Sequence, residues 1–98
     1  MTIDELKTLS SPIFEKYGIN YAGVFGSFAR GDNKGDSDID FVVRAGKVPH
    51  GIWGFVGLKQ ELEKTIGKEV DIVSESGARS DFVAGINKDK ITIYEKSD

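Results

Sequence analysis

The chain has 98 residues, of which 39% are hydrophobic and 30% charged, and this composition is typical of one soluble globular domain covering residues 1–98. Its net charge of −3 argues against a broad electrostatic surface for DNA or RNA, so bulk nucleic acid is not an expected partner. The absence of cysteine excludes disulfides and thiolate metal sites and fits a cytoplasmic protein. The N-terminus is acidic and the apolar runs are short, so we expect neither a signal peptide nor a membrane span.

The N-terminal segment predicts a helix that is disturbed near its middle. Thr2 and Glu5 have the spacing of a capping box, in which each side chain bonds to the backbone N–H of the other residue. The Ser10–Pro12 segment interrupts or kinks the helix, and Pro12 suits the first turn of a restarted helix that ends at Gly18. The apolar residues expected to contact the core are Ile3, Leu6, Leu9, Ile13, Phe14 and Tyr17.

Strands and helices alternate through the rest of the chain. Strands are predicted at residues 21–25, 39–43, 68–73 and 91–94, the last of them at a sheet edge. Helices are predicted after Gly26, from Ile52 to Ile66, and after Ser80, and the long middle helix ends at Gly67. This order predicts an α/β fold with a small mixed β-sheet and helices packed mainly on one face.

Carboxylates stand on two of the predicted strands. Asp38 and Asp40 are two residues apart, so strand alternation puts them on one face with Cα atoms about 6.6 Å apart. Asp71 interrupts a later apolar run and converges with them if the two strands are neighbours. Such carboxylates raise each other's pKa unless a cation lies between them, and oxygen ligands favour Mg²⁺ or Mn²⁺. Three of them could hold two metal ions, the arrangement that stabilises attacking and leaving oxygens in nucleotidyl transfer.

A phosphate-binding turn is predicted just before these carboxylates. Gly26 follows a short strand and allows a tight turn or a close backbone approach. Ser27 can cap a short helix whose free N–H groups face an anion. Arg30 lies three residues after Ser27 and is therefore its neighbour on the helix. A hydroxyl, a helix start and a guanidinium could then bind a triphosphate together.

The start of the long helix contains an unusual glycine pattern. Gly51, Gly54 and Gly57 recur every three residues, and each glycine in a helix interior costs about 1 kcal/mol relative to alanine. The pattern favours a frayed helix start or loop over a surface for close backbone contact.

One combination of motifs extends over most of the chain. Gly26-Ser27 is followed after ten residues by Asp38-Ile39-Asp40, and later by the strand Val70-Asp71-Ile72-Val73. With Ala29-Arg30-Gly31 after the Gly-Ser pair, this combination resembles the minimal nucleotidyltransferases of the DNA polymerase beta superfamily. The similarity runs from about residue 6 to 94 and implies the polymerase-beta-type nucleotidyltransferase fold.

The resemblance also implies a metal-dependent enzyme that transfers AMP from ATP to a hydroxyl group. In such an enzyme Asp38 and Asp40 bind Mg²⁺ or Mn²⁺, while Asp71 completes the metal site and can act as general base. The implied nucleotide-binding residues are Gly26, Ser27 and Arg30. ATP is inferred from the family alone, because no base-recognition element can be identified in the sequence.

The acceptor is expected to be a protein. Relatives that modify antibiotics or tRNA usually carry an additional substrate domain, which a chain of 98 residues is not expected to contain. Minimal nucleotidyltransferases of this size resemble the antitoxins encoded beside HEPN-domain ribonuclease toxins, which they neutralise by adding AMP to a toxin tyrosine. The resemblance therefore implies a HEPN-domain toxin partner in a hetero-oligomer. Residues 45–51 and the glycine-spaced helix start lie just past the carboxylate strand and are therefore candidates for part of the docking surface.

Two alternatives share parts of this pattern. An adenylyltransferase for a small molecule such as an aminoglycoside, with a partner subunit completing the site, would have the same motifs. A partner-binding module without catalysis is the other alternative, and the presence of all three carboxylates and the Gly-Ser turn argues against it.

Overall fold

A computed structural model describes residues 1–31, 38–45, 52–75, 85–86 and 88–96 of the chain. In this part of the chain helices and strands occur in the order α1 (Ile3–Lys16), β1 (Ile19–Phe25), α2 (Gly26–Arg30), β2 (Ile39–Ala45), α3 (Ile52–Ile66), β3 (Val70–Ser74) and β4 (Ile91–Glu95). Residues 46–51 and the helix predicted after Ser80 lie outside the described residues. None of the described helices has both the length and the apolar character needed to cross a lipid bilayer.

The four strands form one mixed sheet in the order β3-β2-β1-β4. β1 pairs antiparallel with β2 and with β4, whereas β2 and β3 are parallel. A parallel pair needs a crossover connection, which α3 supplies. The predicted mixed sheet and the edge position of β4 are confirmed. β2 and β3 are neighbours, which is the condition for the predicted carboxylates to converge.

Helix α1 begins and ends as predicted but is not interrupted. The capping box between Thr2 and Glu5 is present, and Gly18 follows the helix with a φ of 73°. The expected interruption at Ser10–Pro12 is wrong, because the helix continues through Pro12, and a kink at this point stays a prediction. Proline inside a helix costs about 3 kcal/mol, but burying Ile13 and Phe14 contributes about 1.5–3 kcal/mol each. Side-chain burial beyond Pro12 therefore outweighs the lost backbone hydrogen bond.

The buried face of α1 differs from the predicted one at a single turn. Leu9, a predicted core residue, is 36% exposed, whereas Ser10 is fully buried. The Ser10 hydroxyl donates a hydrogen bond of 2.6 Å to the Leu6 carbonyl, so its burial leaves no unsatisfied polar group. Ser10 lies four residues after Leu6 and three before Ile13, which aligns it with the buried stripe and turns Leu9 outward.

The core lies between α1, α3 and one face of the sheet. Ile39, Phe41 and Val43 project from β2 into this core, where the Phe14 ring of α1 meets Phe41 edge-on at a centroid distance of 5.3 Å. Leu58 and Leu62 from α3, both fully buried, close the other side. The described long helices thus cover one face, as predicted. Alternation along β2 directs Asp40 to the opposite face, here called the carboxylate face.

The glycine-spaced segment of α3 is packed rather than frayed. Gly54 is buried inside the helix. A Cβ atom placed on Gly57 would lie 3.2 Å from the hydroxyl oxygen of Tyr17, the C-cap residue of α1, closer than ordinary van der Waals contact. The Tyr17 hydroxyl also donates a hydrogen bond of 3.2 Å to Glu61 of α3. The interpretation as a frayed start is wrong at these positions, because the small residue lets α1 approach α3.

Candidate active site

Asp40 and Asp71 are brought together by the parallel pairing of β2 and β3. They are direct register partners, with Ile39 opposite Val70 before them and Phe41 opposite Ile72 after them. Val70 and Phe41 are buried in the core, so the two aspartates share the carboxylate face. Asp40 is half-buried and Asp71 is exposed. The predicted convergence is confirmed for this pair.

The electrostatics at Asp40 reflect both burial and like charge. Burial raises the pKa of the Asp40 carboxyl above its ordinary value, the negative charges of Asp71 and Asp38 raise it further, and a hydrogen bond to the Asp71 carboxyl acts in the same direction. Each of these causes favours the protonated form of the Asp40 carboxyl. A cation between the carboxylates would oppose these effects, because it stabilises the ionised form of all of them.

The donor set fits a hard divalent cation. Carboxylate oxygens are the ligands that Mg²⁺ and Mn²⁺ prefer. Asp38 is exposed immediately before β2 and acts on Asp40 through its charge. Among the described residues, no three acidic, histidine or cysteine side chains are grouped closely enough to hold a metal ion as they stand. Asp40 and Asp71 therefore form a pair, and Asp38 acts on Asp40 through its charge without completing a group of three ligands.

Gly26 completes the site on the side of β1. Phe25, the last residue of β1, is the register partner of Asp40, and the chain turns at Gly26 with a φ of 74°. A Cβ atom placed on Gly26 would lie 2.8 Å from Oδ2 of Asp40, a distance that real Cβ atoms do not tolerate. The predicted close approach is thus present, and its partner is the carboxylate itself. The backbone angle favours glycine, and an added side chain would have to displace the Asp40 carboxylate.

The other two predicted phosphate contacts lie on α2, which begins at Gly26. Ser27 is in the first turn of this helix, next to Gly26. Arg30 ends the helix, and its Nη1 donates a hydrogen bond of 3.2 Å to Oδ2 of Asp89. The Arg30 side chain is half exposed. Contact of either residue with phosphate stays a prediction. The partner Asp89 lies 59 residues further along the chain, and no sequence pattern indicates the pair.

A hydrogen bond from helix α3 fixes the beginning of β3. The Oε2 atom of Glu63 in α3 accepts a hydrogen bond of 3.0 Å from the backbone N–H of Val70. At the neighbouring residue, the carbonyl of Glu69 accepts a hydrogen bond of 3.0 Å from the N–H of Ile39 in β2. Both bonds act next to Asp71 and hold it opposite Asp40. The spacing of Lys59 and Glu63 predicts only surface support, so sequence reasoning misses this positioning role.

A groove runs beside Asp71 at the β3 edge of the sheet. We call it the α3/β3 groove, a space of about 520 Å³ between Phe55, Val56 and Lys59 of α3 and residues 71–74 of β3. Its walls are mainly apolar, and Val56 is 42% exposed. Lys59 and Asp71 are its charged lining residues within the described part of the chain. The sequence predicts ordinary surface at Lys59, because a groove depends on how the helix sits against the strand edge.

Comparison with known sequences gives matches over most of the chain. The sequence profile of the family described as Polymerase beta, Nucleotidyltransferase matches residues 10–98. MJ0435 of Methanocaldococcus jannaschii, a protein adenylyltransferase by assignment, is 43% identical over 74 residues, which cover 76% of this chain and 78% of that protein. The protein adenylyltransferase MntA of Thermococcus cleftensis is 29% identical over 97 residues, covering 95% of this chain and 97% of MntA.

Solved structures give the same fold. A protein assigned as a minimal nucleotidyltransferase superimposes with a TM-score of 0.78 at 30% identity, covering 93% of this chain and 95% of that one. A chain from the complex of a tri-AMPylated Shewanella oneidensis HEPN toxin with its MNT antitoxin superimposes with a TM-score of 0.73 at 16% identity, covering 97% and 74%. The second similarity concerns the fold alone. The resemblance carried by the sequence motifs is confirmed, and the chain belongs to the polymerase beta nucleotidyltransferase family.

Proposed function

We propose that the protein transfers AMP from ATP to a tyrosine hydroxyl of a HEPN-domain toxin and acts as the antitoxin of that toxin. The observation that carries this proposal is the Asp40–Asp71 pair lying against the Gly26 turn, in a chain whose relatives include the protein adenylyltransferase MntA. A structurally similar chain occurs in a complex of a HEPN toxin and an MNT antitoxin, and that toxin is AMPylated.

Each residue of the site has a chemical role in this proposal. Asp38, Asp40 and Asp71 hold Mg²⁺ or Mn²⁺, with the exposed Asp38 side chain reorienting toward the pair. The metal supplies charge stabilisation for the transferred phosphoryl group. Asp71 also accepts the proton of the acceptor hydroxyl, because it is the exposed member of the pair and can reach an incoming group.

The nucleotide is assigned to the β1 side of the site. Gly26 and Ser27 bind the triphosphate of ATP, since the turn they form adjoins Asp40. Arg30 contacts the phosphates only if its guanidinium leaves or shares the Asp89 carboxylate. We place the reaction in the cytoplasm, where ATP is abundant.

Binding of ATP provides the first test. Calorimetric titration with and without Mg²⁺ is expected to show metal-dependent affinity, because the carboxylates repel the nucleotide phosphates when no cation is present. Equal affinity in both titrations would contradict the metal assignment. Asp4→Asn, which changes an exposed acidic residue of α1, serves as a matched control and is expected to bind like the wild type.

Transfer is tested with the partner protein. The protein, a HEPN-domain partner encoded beside it, Mg²⁺ and ATP are mixed, and the partner is weighed by intact mass spectrometry. We expect the mass to increase by one or more AMP units, and expect no increase with the double variant Asp38→Asn, Asp40→Asn. An unmodified partner together with an efficiently adenylylated aminoglycoside would instead support a small-molecule acceptor. Binding of the partner without any transfer would support a non-catalytic module.

A further inference from the structure

Lys90 lies at the same end of the sheet as the Gly26 turn. β4 pairs antiparallel with β1, and Ile91, the first residue of β4, is the register partner of Val24. The two strands run in opposite directions, so the residue before Ile91 lies beside the residue after Val24. The backbone of Lys90 is therefore next to Phe25, the last residue of β1.

The parts of the site follow one another across this end of the sheet. Asp71 on β3 is the register partner of Asp40 on β2, and Asp40 is in turn the register partner of Phe25 on β1. The Gly26 turn follows Phe25 directly, and Lys90 comes next, on the β4 side. The order along this line is thus carboxylate pair, Gly26 turn and Lys90.

The Lys90 side chain lies on the carboxylate face. Ala22 and Val24 belong to the core, so alternation along β1 directs Gly23 to the carboxylate face. A Cβ atom placed on Gly23 would lie 2.8 Å from Cγ of Lys90. The Lys90 ammonium lies 4.6 Å from the centroid of the Tyr21 ring. The side chain therefore folds back along β1, and its charge rests on an aromatic ring.

The charge of Lys90 is not matched by a carboxylate within the described part of the chain. Arg44, which lies on the same face, pairs with Glu75 at 3.4 Å, and Arg30 of α2 pairs with Asp89 at 3.2 Å. The described contact of Lys90 is with the ring alone. A contact between a cation and a ring is weaker than a charged hydrogen bond to a phosphate. An incoming phosphate can therefore draw the ammonium away from the ring.

We infer that Lys90 binds the terminal phosphates of ATP, and this inference rests on the proposed function. A triphosphate held at the Gly26 turn extends away from the carboxylate pair, because the like charges repel. The next group along the line is Lys90, whose flexible four-carbon stem lets the ammonium leave the Tyr21 ring and turn toward Gly26. The ammonium then offsets the negative charge of the phosphates that are not transferred.

The first test compares ATP with AMP by calorimetry in the presence of Mg²⁺. Lys90→Met removes the ammonium but keeps an unbranched stem. The Kd for ATP should rise by about tenfold or more, the scale of a hydrogen bond to a charged group, whereas the Kd for AMP, which lacks the terminal phosphates, should not change. Lys90→Arg keeps the charge and should recover most of the affinity. Lys88→Met is the matched control, because Lys88 is exposed in the same segment.

Two results of this test would overturn the inference. One is a Kd for ATP in Lys90→Met equal to that of the wild type. The other is an equal rise for ATP and AMP, because Lys90 would then stabilise the site as a whole instead of binding the terminal phosphates.

The second test follows the ring that the ammonium leaves. Inorganic pyrophosphate and Mg²⁺ are titrated into the nucleotide-free protein, and the ring resonances of Tyr21 are followed by NMR. These resonances are expected to shift in the wild type and in Lys88→Met, and to remain unshifted in Lys90→Met. Unshifted Tyr21 resonances in a wild type saturated with pyrophosphate would overturn the inference.

The two tests also separate this inference from the proposed function. A wild type that binds neither ATP nor pyrophosphate would contradict the proposed function, and the role of Lys90 with it. A wild type that binds both and transfers AMP, beside a Lys90→Met variant that binds both equally well, would overturn the role of Lys90 alone.

Discussion

Gly26 and Asp40 lie so close that the smallest side chain on Gly26 would stand 2.8 Å from Oδ2 of Asp40. The contact arises because Asp40 pairs with Phe25, the residue just before the turn. Glycine at this position therefore serves two purposes, since it adopts the positive φ and leaves room for the Asp40 carboxylate. The Gly26 turn and the carboxylate pair are therefore one structural unit.

This contact predicts that Gly26→Ala displaces the Asp40 carboxylate. The positive φ should cost about 1–2 kcal/mol of stability, and the added methyl group should weaken metal-dependent ATP binding. Gly67→Ala is a close control, because Gly67 has a φ of 79° but an added methyl group would have no neighbouring atom within 4 Å. Thermal unfolding should show a similar loss in both variants. Calorimetry should show the loss of ATP affinity only in Gly26→Ala, and equal affinity in the two variants would contradict the proposed displacement.

The double variant Asp38→Asn, Asp40→Asn should separate activity from stability. AMP transfer is expected to fall by more than about 100-fold, since even the outer-shell partners of metal ligands contribute about 10- to 100-fold. The thermal midpoint measured in EDTA should hold or rise, because the substitutions remove like charges around the buried part of Asp40. A large fall of that midpoint would mean that the carboxylates stabilise the fold.

Core packing beneath the site predicts that substitutions of Phe14 lower the free energy of unfolding by an amount that depends on the size of the cavity they leave. The ring is fully buried, meets Phe41 edge-on at 5.3 Å and stacks on Tyr94 at 6.1 Å. Phe14→Ala should lower the free energy of unfolding by about 3–5 kcal/mol, and Phe14→Leu should cost clearly less because it leaves a smaller cavity. Urea unfolding checks both values. Similar losses in the two variants would argue that ring contacts rather than volume determine the effect.

The ion pair between Lys16 of α1 and Glu61 of α3 is expected to make a contribution to stability that depends on pH. A hydrogen bond of 2.9 Å from Lys16 is the main cause that lowers the pKa of Glu61, although burial acts against it. A carboxyl group with a lowered folded pKa stabilises the protein above its unfolded pKa, and this contribution is lost as the pH falls through the folded value. Lys16→Met should therefore lower the thermal midpoint at neutral pH.

The difference between Lys16→Met and the wild type should begin to shrink as the pH falls below the ordinary glutamate pKa of about 4.3, and it should be lost below the lowered pKa of Glu61 in the folded protein. Lys7→Met, a substitution of an exposed lysine on the same helix, controls for the general loss of positive charge. A difference of constant size from pH 7 to pH 3 would exclude the ionised pair as its cause.

Features that depend on a few neighbouring residues can be predicted correctly from the sequence. The capping box of α1, the glycine after it and the bounds of α3 rest on signals within one or two helical turns. The same holds for the faces of β2 and β3, because alternation alone separates Asp40 from Phe41 and Asp71 from Ile72. For this reason the amino-acid sequence alone is enough to identify the carboxylate motif.

Features that depend on distant residues could not be predicted. Whether Asp71 meets Asp40 depends on strand order, so their convergence could be expected only on the condition that β2 and β3 are neighbours. The pairing of Arg30 with Asp89 and the hydrogen bond from Val70 to Glu63 join residues whose contact follows from the assembled sheet. The error at Leu9 has the same origin, because a polar residue can be buried wherever the helix itself satisfies its hydroxyl.

The connection between α3 and β3 consists of residues 67–69, and hydrogen bonds hold both its ends. A slip of one residue in β3 would turn Asp71 toward the core and Ile72 toward the carboxylate face. The length of this connection therefore determines which side chains of β3 lie on the carboxylate face. We expect that inserting or deleting one residue there would abolish the carboxylate pair while leaving every predicted site residue in the sequence.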